Sequence, residues 1–163
     1  MSNTCMGKLS LLVVVALAVS TVASAQLPNP YGAPISLENA KKAAAAAAVE
    51  ARKNNWTMAV SIVDIAGDLV YFEKMDGTQT GSVNVAIEKA RTAALYKRPS
   101  RAFQDTVASG GAGLRILGMS SAIPIEGGIP LLLDGKIIGA IGVSGGTSDQ
   151  DGICAKAGAD LFK

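Results

Sequence analysis

The stretch Gly127–Asp151, GGIPLLLDGKIIGAIGVSGGTSDQD, constrains this chain more than any other. Two apolar runs flank Asp134-Gly135, a dipeptide matched to a type I′ turn because both central residues must tolerate φ > 0. They predict a buried hairpin with strands over 129–133 and 136–143. The second strand opens into Gly142-Val-Ser-Gly-Gly, ahead of a helix predicted over 149–162. A glycine-rich mouth beside a helix N-terminus is a place where a small ligand can approach the backbone.

The upstream residues complete one domain. Gln26–Pro34 reads as an extended arm, in an N-terminal segment 26–35 that precedes a domain over 36–163. Ser36 is suited to cap a helix running to about Lys53, with the alanine run Ala43–Ala48 in its middle. Met58–Ile65 and Leu69–Met75 read as strands. In the first, Met58, Val60 and Ile62 alternate with Ala59, Val63 and Ile65, so both faces are apolar and both must be covered. Ser82 is predicted to cap a helix to Lys97, with Val83, Ile87, Ala90 and Ala94 as its buried stripe. Pro99 stops that helix, and Ser100 is placed to cap a short one after it. Ser109–Gly113 reads as a flexible loop, and Ile116–Ile123 fits helix and strand equally. Hairpins rather than crossovers join the strands, which predicts an α+β fold: a single domain with an antiparallel sheet flanked by helices.

The first residues read as an address. Lys8 precedes the apolar segment Leu9–Val19, and Ala23-Ser24-Ala25 fits a cleavage site, so residues 1–25 are predicted to be a signal peptide. The mature chain is then exported, periplasmic or extracellular, with no membrane insertion after cleavage. It keeps Cys154 as its one thiol, which excludes an intrachain disulfide and fits a small packing residue. A formal net charge of +2 offers no electrostatic footprint for nucleic acid.

Histidine is absent, which excludes Ser-His-Asp and Cys-His catalysis and His-ligated metal sites. The Gly142–Gly146 turn lacks the P-loop lysine, and Asp149 and Asp151 already occupy the positive end of the following helix. They read as capping and first-turn charge, and no metal site is expected. Gly139 and Gly142 imply close approach to the strand by a helix or by a flat ligand. Lys89, Thr92 and Tyr96 share one helix face, able to offer donors to an anion. Arg98, held beside Pro99, has a guanidinium fork suited to carboxylate. With Gly127, Gly128, Gly142 and Ser144, these residues frame a ligand site between the hairpin and the Arg98 end of the helix. Glu126, set among apolar residues, is a candidate acid or base with a raised pKa.

Three blocks carry a family resemblance: Ser82–Ser100 (SVNVAIEKARTAALYKRPS), the hairpin with its flanks over 127–145, and Asp151–Gly158 (DGICAKAG). Together they resemble the GlcG/HbpS-like family of haem-binding or haem-degrading proteins, formerly a domain of unknown function, over about Ile35–Phe162. The resemblance implies a profilin-like fold and homo-oligomers. It also implies relatives that bind haem, some exported and linked to redox sensing, others encoded beside glycolate or diol metabolism. A related domain ends certain cobalamin adenosyltransferases. Some relatives use a histidine on haem, so here an axial ligand would come from Tyr71, Tyr96, Met75, Met119 or Cys154, or be absent. The leading expectation is an exported small-ligand-binding protein with haem or a related tetrapyrrole as ligand, Arg98 and Lys89 pairing with its propionates. The alternatives are a cofactor-free enzyme on a small organic acid or carbonyl compound, with Glu126 as acid or base and Arg98 as clamp, and a structural assembly module without ligand.

Overall fold

The computed structural model describes residues 28–162; the expected signal peptide 1–25 and Cys5 lie outside the described residues. Within them the chain runs α1 (Leu37–Lys53), β1 (Ala59–Val63), β2 (Leu69–Lys74), α2 (Ser82–Leu95), α3 (Arg101–Ala108), a 3-10 segment (Gly111–Gly118), β3 (Gly128–Leu133), β4 (Lys136–Ser144) and α4 (Ser148–Ala159). The strands form one sheet in the order β2-β1-β4-β3. Every pairing in it is antiparallel, as the two hairpins require. Asp134 and Gly135 hold φ of 50° and 70°, the backbone of the turn their identities predict.

Helices cover both faces of the sheet. Met58, just before β1, and Val60 and Ile62 of β1 pack with Ile141 and Val143 of β4 against the alanines of α1 and against Cys154 and Ala155 of α4. Val63 and Ala140 point the other way, onto Ala90, Ala93 and Ala94 of α2. The Ser36 hydroxyl caps α1 by accepting from the Asn39 amide. Ala43, Ala44, Ala47 and Ala48 are buried, so the alanine run is a packing interface. The arm is extended and docked: Gly32 donates to Ile137, Ile35 donates to Ile138, and Pro30 accepts from Ile137. Its Tyr31 hydroxyl donates to the Ala94 carbonyl at 2.8 Å, satisfying an acceptor at the end of α2.

Four local expectations are corrected. The α2 cap position is Gly81, while Ser82 lies inside the helix with its hydroxyl 3.3 Å from that of Ser144. The buried face of α2 is Ser82, Ala86, Lys89, Ala90, Thr92, Ala93 and Ala94, whereas Val83 and Ile87 are only half-buried. Small residues are required where α2 lies nearly against the β4 backbone, at Ala86 and Ala90 over Gly142. Ser100 does not cap α3; its hydroxyl donates to the Ile125 carbonyl at 2.6 Å and accepts from the Gly128 amide at 2.9 Å. Residues 111–118, split in the sequence reading between a loop and an ambiguous segment, form one 3-10 segment.

Cys154 is fully buried, and burial, reinforced by the Asp151 and Glu50 carboxylates, pushes its thiol up to about 12. The folded state therefore keeps a proton that the unfolded chain loses between about pH 9 and 12, and stability should fall across that window. Cys154→Ala should remove this alkaline slope from a denaturant-unfolding series. In the chain over 26–163, which lacks Cys5, thiol reagents at pH 8 should label Cys154 only as fast as the protein unfolds; rapid labelling would contradict the burial.

Candidate functional site

The space expected to hold a ligand at the hairpin is filled by the protein itself. A Cβ on Gly142 would lie 2.0 Å from the Ala86 carbonyl oxygen, and one on Gly128 would lie 2.1 Å from that of Lys89. Gly127 faces the Val143 carbonyl and the Lys89 amine in the same way. These glycines seat α2 and its lysine on the sheet; the close approach expected at Gly142 is made by a helix, whereas Gly139 is met by the Val63 carbonyl and Ile35. Ser144 is buried against Ser82.

Lys89 is not a ligand-facing cation. Only 1% exposed, it reaches beneath β4 to Asp151 of α4 at 2.6 Å and donates to the Val143 carbonyl at 3.1 Å. The other Asp151 oxygen accepts from the Gly146 amide at 3.0 Å. Burial pulls the Lys89 ammonium below its usual range and lifts the Asp151 carboxyl above its own, while their mutual hydrogen bond opposes both shifts. The pair links α2, β4 and α4 across the sheet end. Thr92, on the same helix face, is buried too; its hydroxyl donates to Glu88 and accepts from the Ile123 amide at 2.9 Å.

Glu126 has a structural tie of its own. Its carboxylate meets Arg101 of α3 at 3.0 Å and lies over Gly152 of α4, and its amide donates to Gln104. Arg98 turns elsewhere, so the expected partnership of a Glu126 acid or base with an Arg98 clamp is not assembled.

Arg98 and Tyr96 instead enter an open cleft of about 350 Å³ between the end of α2, α3 and the 3-10 segment. Its other lining residues are Phe103, Thr106, Arg115, Ile116 and Met119. The Tyr96 and Phe103 rings meet edge to face at 5.3 Å. The Arg98 guanidinium lies 5.7 Å from the Phe103 ring centre, and its Nε donates to the Tyr96 carbonyl at 3.1 Å. The Tyr96 hydroxyl donates to the Ser120 carbonyl at 2.6 Å, pinning the chain as it leaves the 3-10 segment. Among the described residues, neither Arg98 nor Arg115 has an acidic partner, whereas Arg91 and Arg101 do. Two guanidiniums left free of acids beside an aromatic and aliphatic floor can receive an amphipathic carboxylate.

Two further clefts lie on the arm side. One, of about 330 Å³, is lined by residues from Gly32 to Asn39 and by the β3–β4 turn; the other, of about 250 Å³, joins Lys97 to Ile129, Pro130 and Leu132. Neither pairs two cations with an aromatic ring. Of the axial-ligand candidates, Tyr96 and Met119 reach the Arg98 cleft, Tyr71 and Met75 pack against the core and Cys154 is buried within it. Arg115, Phe103 and Thr106 were missed by the sequence reading. The legible signal was a lone arginine inside the apolar run Gly111–Gly118, GAGLRILG.

A family model described as haem degrading protein HbpS-like matches residues 35–160, nearly all of the described domain. The chain belongs to the HbpS-like family. It is 38% identical over 110 residues to protein GlcG of Escherichia coli K12, covering 68% of this chain and 81% of GlcG. Among solved structures it is similar to protein ORFY of Klebsiella pneumoniae, with a TM-score of 0.74, 30% identity and coverage of 85% and 97% of the two chains. It is also similar to a PduOC–haem complex, with a TM-score of 0.72, 29% identity and coverage of 80% and 96%.

Proposed function

We propose that this HbpS-like chain, exported after removal of residues 1–25, binds haem or a related tetrapyrrole at the Arg98 cleft. One observation carries the placement: Arg98 and Arg115, both without acidic partners among the described residues, line the same cleft as Phe103, Ile116 and Met119. The similarity to a haem complex supports the choice of ligand. The donor set fits that group. The guanidiniums match propionates, the Phe103 ring and the Ile116 side chain match a macrocycle edge, and Tyr96 and Met119 bring a phenol and a thioether. An open cleft of about 350 Å³ seats one edge of a tetrapyrrole, leaving the remainder for solvent or a second copy in a homo-oligomer. Bound haem would supply a redox-active iron, which accords with a sensing role. The residues of this chain orient the ligand and neutralise its carboxylates.

Haemin titration of the chain over 26–163 should give a saturable Soret shift. Arg98→Ala should weaken it about fivefold, the scale of one exposed guanidinium–carboxylate pair. Arg52→Ala, on the exposed side of α1, should leave it unchanged. A Soret response that never saturates, or one equally weakened by both substitutions, would remove the cleft as the binding site.

A further inference from the structure

The cleft is built from two parts that the fold holds differently. Tyr96 and Arg98 sit at the end of α2, whose inner face is buried against the sheet. Arg115 and Ile116 sit on the 3-10 segment Gly111–Gly118, which packs on α3 but makes no substantial contact with the sheet or with α2. Ile116 is its one buried residue, while Leu114 and Leu117 are 50% and 63% exposed. At its start Gly110 holds φ 69° and ψ −159°, a conformation essentially confined to glycine, and Gly111 follows at φ 53°. Nothing lies within 4 Å of a Cβ on either, so backbone angle alone and not packing demands glycine there. At its far end the Tyr96 hydroxyl donates to the Ser120 carbonyl, and the Thr92 hydroxyl accepts from the Ile123 amide. The segment is thus a short rod that starts from two positive-φ glycines, is seated on α3 through Gly113, whose Cβ position lies 2.1 Å from the Thr106 carbonyl oxygen, and is pinned at its far end. It carries an arginine with no acidic partner among the described residues.

We propose that the Gly111–Gly118 segment is a ligand-ordered lid, in which Arg115 grips a second carboxylate while Arg98 holds the first, so that the cleft selects dianionic amphipathic ligands. The proposal rests on the binding function assigned above and adds the lid, its arginine and the two-carboxylate requirement. A ligand spanning both arginines links the sheet-backed part of the cleft to the part seated on α3, and binding then lowers the frequency of local opening in the segment. An uncharged ester of the same ligand can occupy the floor without fastening the lid.

The test combines Soret titration with amide hydrogen exchange of peptides over 111–119, using haemin and haemin dimethyl ester on wild type and Arg115→Ala. Haemin should slow exchange of these peptides in wild type, and the diester should not. Arg115→Ala should keep a saturable Soret shift, weakened about fivefold, and lose the protection. An unchanged thermal midpoint for Arg115→Ala establishes that the variant is folded. Saturable binding in wild type with unaltered exchange over 111–119, or equal protection in Arg115→Ala, would overturn the lid and leave the binding function standing. Absence of saturable binding in wild type would overturn both.

Discussion

Lys89→Met is expected to cost about 3–5 kcal/mol of stability, because it leaves the Asp151 carboxylate buried beneath β4 without its cation. Asp151→Leu should cost a similar amount by stranding the ammonium. The double variant, Lys89→Met with Asp151→Leu, should recover most of the loss, since an apolar pair avoids the desolvation that shifts both groups. What it should not recover is about 1 kcal/mol for each hydrogen bond lost at the Val143 carbonyl and the Gly146 amide. Urea midpoints of the four proteins measure this directly. Additive losses in the double variant would mean that each side chain acts through its own packing and not through the other. Under the binding function proposed above, the haemin Soret response should be unaffected in any variant that folds, because neither residue lines the Arg98 cleft.

Gly142→Ala is the second large effect. Its methyl would sit 2.0 Å from the Ala86 carbonyl and 2.5 Å from the Ala90 amide, both helix backbone, so no rotamer change can relieve the clash. α2 must lift from β4, at a cost of about 3 kcal/mol or more. Gly118→Ala provides the contrast. Nothing lies within 4 Å of its Cβ position and its φ is not positive, so the change should stay within about 0.5 kcal/mol. Equal midpoints for the two variants would show that α2 is seated by something other than the missing side chain at Gly142.

The two glycines illustrate how far a single chain can be read. Asp134-Gly135 announces its turn locally, because backbone sterics at two adjacent residues decide the conformation. Gly142 announces only that something comes close. Whether a helix or a ligand does so depends on where Ala86 and Ala90 end up, and they are more than fifty positions away in sequence. Lys89 misleads for the same reason. On a helical projection a lysine near a threonine and a tyrosine marks a wet face. Here the sheet's glycines let α2 sink until that lysine is enclosed and must find Asp151.

Arg98 was legible as a candidate for holding a carboxylate, since Pro99 ends its helix and its fork suits that group, and it does line an open cleft. Its companions were not. Arg115 and Phe103 come from α3 and the 3-10 segment, an excursion whose apolar and glycine-rich sequence fits several backbones equally well.

By its own residues the chain determined its strands, its hairpin turn, the α1 cap, the small packing residue at Cys154 and its family. These depend on local backbone preference and on patterns of burial that repeat within a few residues. Only the tertiary structure decided that Lys89 is enclosed, that Glu126 belongs to Arg101, and that Arg98 meets Arg115 across an open cleft. Charges are assigned partners by three-dimensional proximity and desolvation, and neither quantity exists until α2, α3 and α4 are packed around the sheet.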